Sequence, residues 1–302
     1  MNRRHLMHAA FAAGLAADLA ARSPAAASPP IGLRPPAIRA ADGASLAYTD
    51  RGAGPPVVLV HAWALHSKMW DRQVEALNHA GFRTITFDRR GHGRSPDPGR
   101  GYDIDTLAGD LAAVLDQLEL TGVTLVGHSM GGAEVIRYLG RHGGSRVKRV
   151  VLLAPATPCL TLAHDNPAGL PAAAFEQLRG AWVADFPKWV GDNAAPFYTP
   201  QTSPEMVAYG VRMMLECPLP VALATSRALT AADLRADCRR IAAPTLIVHG
   251  DADQSAPLEM CGRTTAALIP NARLVVLPGA PHGLFTTYAE AVNQALIEAA
   301  RA

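Results

Sequence analysis

The chain has 302 residues, enough for one domain with a sizeable buried core or for such a domain carrying a lid. Hydrophobic residues make up 49% and charged residues 18%, the balance of a globular protein and not of a disordered or fibrous one. A formal net charge of +2, with no basic run beyond the N-terminus, excludes the electrostatic footprint of a nucleic-acid binder.

The N-terminus opens on Met1-Asn2-Arg3-Arg4-His5-Leu6-Met7, a basic start with a twin arginine, and an alanine-rich stretch follows from Ala9 to Ala17. Ala25-Ala26-Ala27 offers an A-x-A cleavage site. Residues 1–27 therefore read as a twin-arginine-like export signal, with a periplasmic or secreted mature protein. Asp18 interrupts the apolar stretch, so the alternative is an alanine-rich tail on a cytoplasmic protein. Residues 28–36 are proline-rich and read as a linker. No later segment carries the ~20 uninterrupted apolar residues that a membrane span requires.

In chain order, residues 37–41 and 45–50 are short extended segments either side of Asp42-Gly43, the pattern of a β-hairpin. Residues 56–60 are apolar and β-branched, as in a strand buried on both faces. Residues 69–79 have helical spacing, and 83–87 form another short strand. Leu107, Leu111, Val114, Leu115 and Leu118 fall on one face of a helix over 103–120, with Asp103 or Asp105 as its N-cap. A strand over 123–126 runs into Gly127-His128-Ser129-Met130-Gly131-Gly132. A helix over 132–142 closes on Gly143-Gly144, and a strand over 147–153 follows.

From 156 to 240 the alternation stops, giving way to prolines, scattered aromatics and helical patches. It resumes with a strand over 244–248, a helix near 258–268, a strand over 273–277 and a helix over 286–300. Strands alternating with helices imply a parallel sheet covered on both faces. The core is thus 37–155 and 241–302, with 156–240 as an inserted lid. The cysteines, Cys159, Cys217, Cys238 and Cys261, form no C-x-x-C pair and no zinc spacing, and read as free thiols. A Cys217–Cys238 disulfide is open only to a protein exported to an oxidising compartment.

Gly127-His128-Ser129-Met130-Gly131 has the G-x-S-x-G spacing of a strand-to-helix turn that lifts a nucleophilic serine above a sheet edge. About one unrelated chain in ten of this length would contain that spacing by chance, so the motif alone is weak. The strand before it and the helix after it sharpen it. A serine nucleophile also needs a base and an orienting carboxylate, in the order Ser, Asp, His in this arrangement. His249 and His282 lie late enough. His249 falls at the end of an apolar strand and reads as buried, whereas His282 sits in a loop directly after the last strand, where ligands bind in α/β sheets. Of the two aspartates after residue 248, Asp251 suits holding the turn and Asp253 suits facing the histidine loop. The oxyanion of a tetrahedral intermediate needs preorganised N–H donors. These are the backbone N–H of Met130, next to the nucleophile, and that of Trp63, in the loop after residues 57–60. His61 and His128 read as supporting residues. Trp63, Met130, Trp182, Phe186, Trp189, Phe197 and Tyr198 suggest an apolar pocket.

On these residues the chain resembles the α/β-hydrolase superfamily, and within it the cofactor-free bacterial haloperoxidase and aryl esterase group. The likeness runs from about Ala40 to the C-terminus. It is carried by Phe87-Asp88-Arg89-Arg90-Gly91-His92-Gly93-Arg94-Ser95, Val126-Gly127-His128-Ser129-Met130-Gly131-Gly132, His249-Gly250-Asp251-Ala252-Asp253-Gln254 and Gly279-Ala280-Pro281-His282-Gly283-Leu284. The resemblance implies a mostly parallel eight-stranded sheet flanked by helices, an inserted helical lid, Asp253 as the acid, and no metal or organic cofactor.

The sequence departs from the group at two positions. Ala62 follows His61 where the oxyanion loop usually has Gly, and Ala64 follows Trp63 where the haloperoxidase group often has Pro. Losing Pro changes the path of a carbonyl thought to help peroxide attack the acyl-enzyme in related enzymes. The expected activity is therefore hydrolysis of a small or aromatic carboxylic ester through acyl-Ser129, with perhydrolase/haloperoxidase and lactonase chemistry as rivals. A rival of another class is a slow-turnover ligand-binding receptor on the same fold. Dehalogenases and epoxide hydrolases of this fold use an Asp nucleophile, which Ser129 argues against. Nothing in the sequence fixes an oligomeric state.

Overall fold

The computed structural model describes residues 35–302, so the export-signal reading and most of the linker lie outside the described residues. The first hairpin forms from β1 (Ile38–Arg39) and β2 (Ser45–Leu46), paired antiparallel. After Ala47 the chain turns into β3 (Tyr48–Arg51), then β4 (Pro56–Val60), α1 (Asp71–His79), β5 (Arg83–Phe87) and α2 (Ile104–Gln117). A 3₁₀ turn, Ser67–Trp70, leads into α1, so the helix starts later than the spacing from residue 69 predicts. The Asp103 side chain accepts the Thr106 N–H at 2.8 Å and starts α2 as the N-cap. Next come β6 (Val123–His128), α3 (Met130–His142) and β7 (Val147–Leu153).

Between β7 and the next strand lie α4 (Ala172–Asp192), α5 (Pro204–Leu215), α6 (Leu219–Ala231) and α7 (Arg235–Arg240). The chain then returns through β8 (Thr245–Gly250), a π-helical turn (Glu259–Arg263), α8 (Thr264–Leu268) and β9 (Ala272–Leu277). It closes with α9 (Leu284–Thr287) and α10 (Ala289–Arg301).

The main sheet has the order β3-β5-β4-β6-β7-β8-β9, seven strands among the described residues. Only β3 runs antiparallel; every other pairing is parallel. This corrects the expected count of eight. The segment 45–50 breaks at Ala47, whose carbonyl accepts the Asp88 N–H at 2.8 Å and whose N–H donates to Ser95 Oγ at 2.9 Å. These bonds split the segment, leaving β1 and β2 as a separate ribbon.

Alternate residues of the central strands feed two cores. Val58, Val60 and Leu125 face a cluster with Leu107, Leu111 and Ile136 from α2 and α3. Val57, Leu59 and Val126 face one with Leu77, Val292 and Leu296 from α1 and α10. A sheet buried on both faces explains why Val123, Leu125 and Val126 of β6 do not alternate with exposed residues and why each residue of the strand is buried. It also places the C-terminal end of β6 in the middle of the sheet. The third cluster belongs to residues 156–240 and joins Ala64 to Trp182, Phe186, Val190 and Val221.

Helix α4 is broken at Asp185 (φ −162°, ψ 86°), just before Pro187. Pro187 cannot donate to the preceding turn, and the Asp185 side chain caps the second half by accepting the Lys188 N–H at 2.9 Å. The four cysteines are free thiols, so Cys217 and Cys238 are not bridged.

Candidate active site

Ser129 is the hinge between β6 and α3, with φ 54° and ψ −118°, a backbone state costing a non-glycine residue about 1–3 kcal/mol. The turn is fixed on both sides: the Ser129 N–H donates to the Leu153 carbonyl at 3.0 Å, and its own carbonyl accepts the Gly132 N–H at 3.0 Å and the Ala156 N–H at 3.2 Å. Its glycines are there for contact. A Cβ on Gly127 would lie 2.6 Å from the Gly131 carbonyl oxygen, and one on Gly131 2.3 Å from that of Val60. Because α3 begins at Met130, its positive end is aimed at the serine.

His282 Nδ1 lies 2.7 Å from Asp253 Oδ2. A carboxylate only accepts, so Nδ1 carries the proton and Nε2 is left as a base. The other carboxylate oxygen, Oδ1, accepts the N–H groups of Ser255 and Ala256, each at 2.8 Å. Burial alone would raise the Asp253 carboxyl; the His282 charge, hydrogen bonds from His249 and His282, and the Ala256 N–H outweigh it and hold the group well below the usual carboxylate range. Asp251 instead accepts the Gly279 N–H at 2.6 Å, tying the two loops together.

The histidine loop docks on the serine turn: His128 Nε2 is 2.9 Å from the His282 carbonyl, with ring centroids 4.8 Å apart. Burial, then the neighbouring His282 charge, pushes His128 down to about 3, so it donates as a neutral imidazole. Ser129, His282 and Asp253 keep only 7%, 5% and 5% of their surface exposed. The structure joins His282 to Asp253 and docks their loop on His128, the residue before Ser129, with all three nearly out of solvent. Neither Ser129 Oγ nor His282 Nε2 has a hydrogen-bond partner among the described residues.

His249, read as a buried strand-end residue, is fully buried, but its Nε2 also lies 3.2 Å from Asp253 Oδ2 and 2.8 Å from the Ala256 carbonyl. Its four-residue distance from Asp253 was the available signal. The N–H groups of Trp63 and Met130 have no protein acceptor among the described residues. Met130 is otherwise fully buried in the main core cluster.

The aromatics expected to line a pocket divide into two groups. Trp63 stacks on Trp182 at 4.5 Å, with Trp189 and Phe186 each 6.2 Å from Trp63. Trp63 Nε1 donates to the Ala222 carbonyl at 2.9 Å, pinning this cluster to α6. Phe197 stands apart, 5.5 Å from the His282 ring and next to Tyr198, whose phenol burial pushes up to about 12. The Phe197 carbonyl accepts the Gly283 N–H at 3.0 Å, so this segment braces the histidine loop. A cavity of about 200 Å³, lined by Leu65, Met69, Tyr198, Met213 and Phe285 among others, lies next to Phe285, whose ring is 5.1 Å from that of His128. No group of three or more His, Cys, Asp or Glu side chains among the described residues is arranged to hold a metal ion.

Residues 55–209 match the family model described as the alpha/beta hydrolase fold. Over 268 residues the chain is 40% identical to a non-heme haloperoxidase of Rhodococcus erythropolis, covering 87% of this chain and 98% of that protein. It is 34% identical to a bifunctional esterase/perhydrolase of Acinetobacter calcoaceticus, over 85% of this chain and 96% of the other. The solved structure of an esterase from Exiguobacterium antarcticum superposes with a TM-score of 0.85 at 31% identity, covering 88% of this chain and 99% of that one.

Proposed function

The chain belongs to the α/β hydrolase family, and from that premise we propose that it hydrolyses carboxylic esters through an acyl-Ser129 intermediate. The observation that carries this reading is the 2.7 Å bond between His282 Nδ1 and Asp253 Oδ2 on a loop docked against the serine turn. In the proposed cycle, His282 Nε2 takes the Ser129 proton as Oγ attacks the ester carbonyl. The oxyanion that forms is met by the N–H groups of Trp63 and Met130. As the tetrahedral adduct collapses, the alcohol leaves with the proton from His282. Water, deprotonated by the same nitrogen, then releases the acid and restores Ser129. Asp253 keeps the imidazole in the tautomer this needs and stabilises its charged form. The Trp63, Trp182, Phe186 and Trp189 cluster suits a small or aromatic ester.

The names of the relatives favour a second reading, in which hydrogen peroxide takes the acyl group in place of water. Ala64 supports water. Its φ of 55° lies outside what a proline ring allows, so the Trp63–Ala64 peptide takes a path that the proline-bearing loops of the haloperoxidase group cannot share.

A panel of aryl and alkyl esters and a few lactones, assayed with and without peroxide, tests the choice of acceptor. Ser129→Ala should lower kcat by about 10³-fold or more; full activity in that variant would sink the mechanism. A receptor on this fold would show stoichiometric acylation without turnover.

A further inference from the structure

Arg89 is an arginine with 1% of its surface exposed, held between the loop after β4 and helix α3. Its Nε donates to Glu134 Oε1 at 2.8 Å, and its Nη2 reaches the same oxygen. On its other side Nη2 donates to the His61 carbonyl at 2.8 Å and Nη1 to the Ala62 carbonyl at 3.2 Å. His61 reinforces the grip. Its Nε2 accepts the Arg89 N–H at 2.9 Å, which puts the proton on Nδ1, and Nδ1 faces the Ala62 carbonyl at 2.8 Å. Burial, then the Arg89 charge, holds His61 well below its ordinary value, so this tautomer persists at neutral pH.

The consequence lies in the peptide planes. The Ala62–Trp63 bond is trans, so the Trp63 N–H points opposite to the Ala62 carbonyl. With that carbonyl gripped from within by Arg89 and His61, the N–H is turned the other way and left free. Glu134 sits five residues after Ser129 on the helix that begins with Met130. One ion pair therefore links the element carrying each unpartnered N–H. A buried pair of this kind is weak evidence for stability, because hydrophobic residues of the same volume often do as well.

We infer that Arg89 and Glu134 are positioning residues that set the orientation of the Trp63 N–H and its spacing from the Met130 N–H, and so shape the oxyanion hole. This rests on the acyl-serine reading above. Arg89→Lys keeps the charge but loses the planar fork, and Glu134→Gln keeps the shape but loses the charge. Both are made in the full chain and checked for folding by near-UV circular dichroism. With p-nitrophenyl acetate, each folded variant should lose about 10²-fold in kcat with KM within about threefold and an unchanged pH-rate midpoint, because His282 is untouched.

Phenylboronic acid provides the second readout. Ser129 Oγ adds to boron, its proton passes to His282, and the resulting anionic tetrahedral adduct resembles the oxyanion. Its affinity should fall in step with kcat/KM. In the wild-type protein the Trp63 amide proton should move downfield when the boronate binds, which can be measured even if neither variant folds. Folded variants with kcat within threefold of wild type, a loss confined to KM, or an unmoved Trp63 amide would each overturn the inference while leaving the Ser129 mechanism intact. Full turnover by Ser129→Ala would remove its premise, and the inference would fall with it.

Discussion

Two aspartates two residues apart have separate tasks, and substitution should tell them apart. Asp253 binds His282, His249 and two backbone N–H groups, whereas Asp251 binds the Gly279 N–H. Asp253→Asn places an amide where a carboxylate is needed and favours the wrong imidazole tautomer; kcat should fall by about 10⁴-fold. Asp251→Asn should cost less than about tenfold, since only a loop-to-loop bond is weakened. The reverse ranking in steady-state assays would move the orienting role to Asp251. Ala64 gives a second test at this scale. Ala64→Pro must swing φ from 55° to about −65° and turn the Trp63–Ala64 peptide. Peroxide-dependent turnover should rise relative to hydrolysis; an unchanged ratio would show that this peptide does not govern the acceptor. Position in the loop after β8 favoured Asp253 over Asp251 from sequence, but the left-handed φ at Ala64 could not be read from an alanine, a residue that seldom adopts it.

The secondary-structure elements meet at backbone contacts that tolerate no side chain. Gly283 follows His282 and donates its N–H to the Phe197 carbonyl; a Cβ there would sit 2.3 Å from that oxygen. Gly283→Ala should push the 195–197 turn off the histidine loop. About 1–3 kcal/mol of stability should be lost, together with a fall in kcat larger than any change in KM. Thermal melts and steady-state kinetics check both, and a variant melting and turning over like wild type would show that the brace is dispensable. Most of the elements were legible because each is long enough to show its period: Asp103 before α2, the mostly apolar start of β6 and the Gly-rich turn each follow from local chemistry. The split of 45–50 into β2 and β3 was not, because it is made by Asp88 and Ser95, which lie far along the chain.

For the molecule as a whole, three buried imidazoles lower stability in acid, against a smaller opposing contribution from Asp110, Glu134 and Asp237, whose carboxyls burial pushes up. His61, His92 and His128 all lie below their ordinary value of 6.5, in each case chiefly through burial; the next cause is the Arg89 charge for His61 and His92, and the His282 charge for His128. The folded protein refuses protons that the unfolded chain accepts. Their contribution to stability is therefore complete above about pH 6.5 and drains away as pH falls toward about 3, the value to which His92 and His128 are held. Asp253, also held low, adds a further loss only below its ordinary 3.8. Denaturant midpoints should thus fall steadily from pH 7 to pH 4. His92 Nε2 has no hydrogen-bond partner among the described residues, and Nδ1 faces the Arg90 carbonyl at 3.0 Å, a bond a glutamine amide can also donate, so His92→Gln should be accommodated and should flatten that slope by about one proton's worth. An identical slope in the variant would show that His92 does not withhold a proton.

The sequence by itself determined the layered α/β architecture, the serine turn and the loops that follow the last strands. Each of these is written in neighbouring residues: an apolar run, a glycine spacing, an aspartate or histidine just past a strand end. Only the tertiary structure decided which groups share a charge or a wall. His249 joins Asp253, Phe197 parts from the Trp63 cluster, and Arg89 reaches Glu134 across 45 positions of sequence. The physical reason is that a hydrogen bond or an aromatic contact is set by distance in space, and β4, β5 and α3 meet only once the sheet has formed around β6.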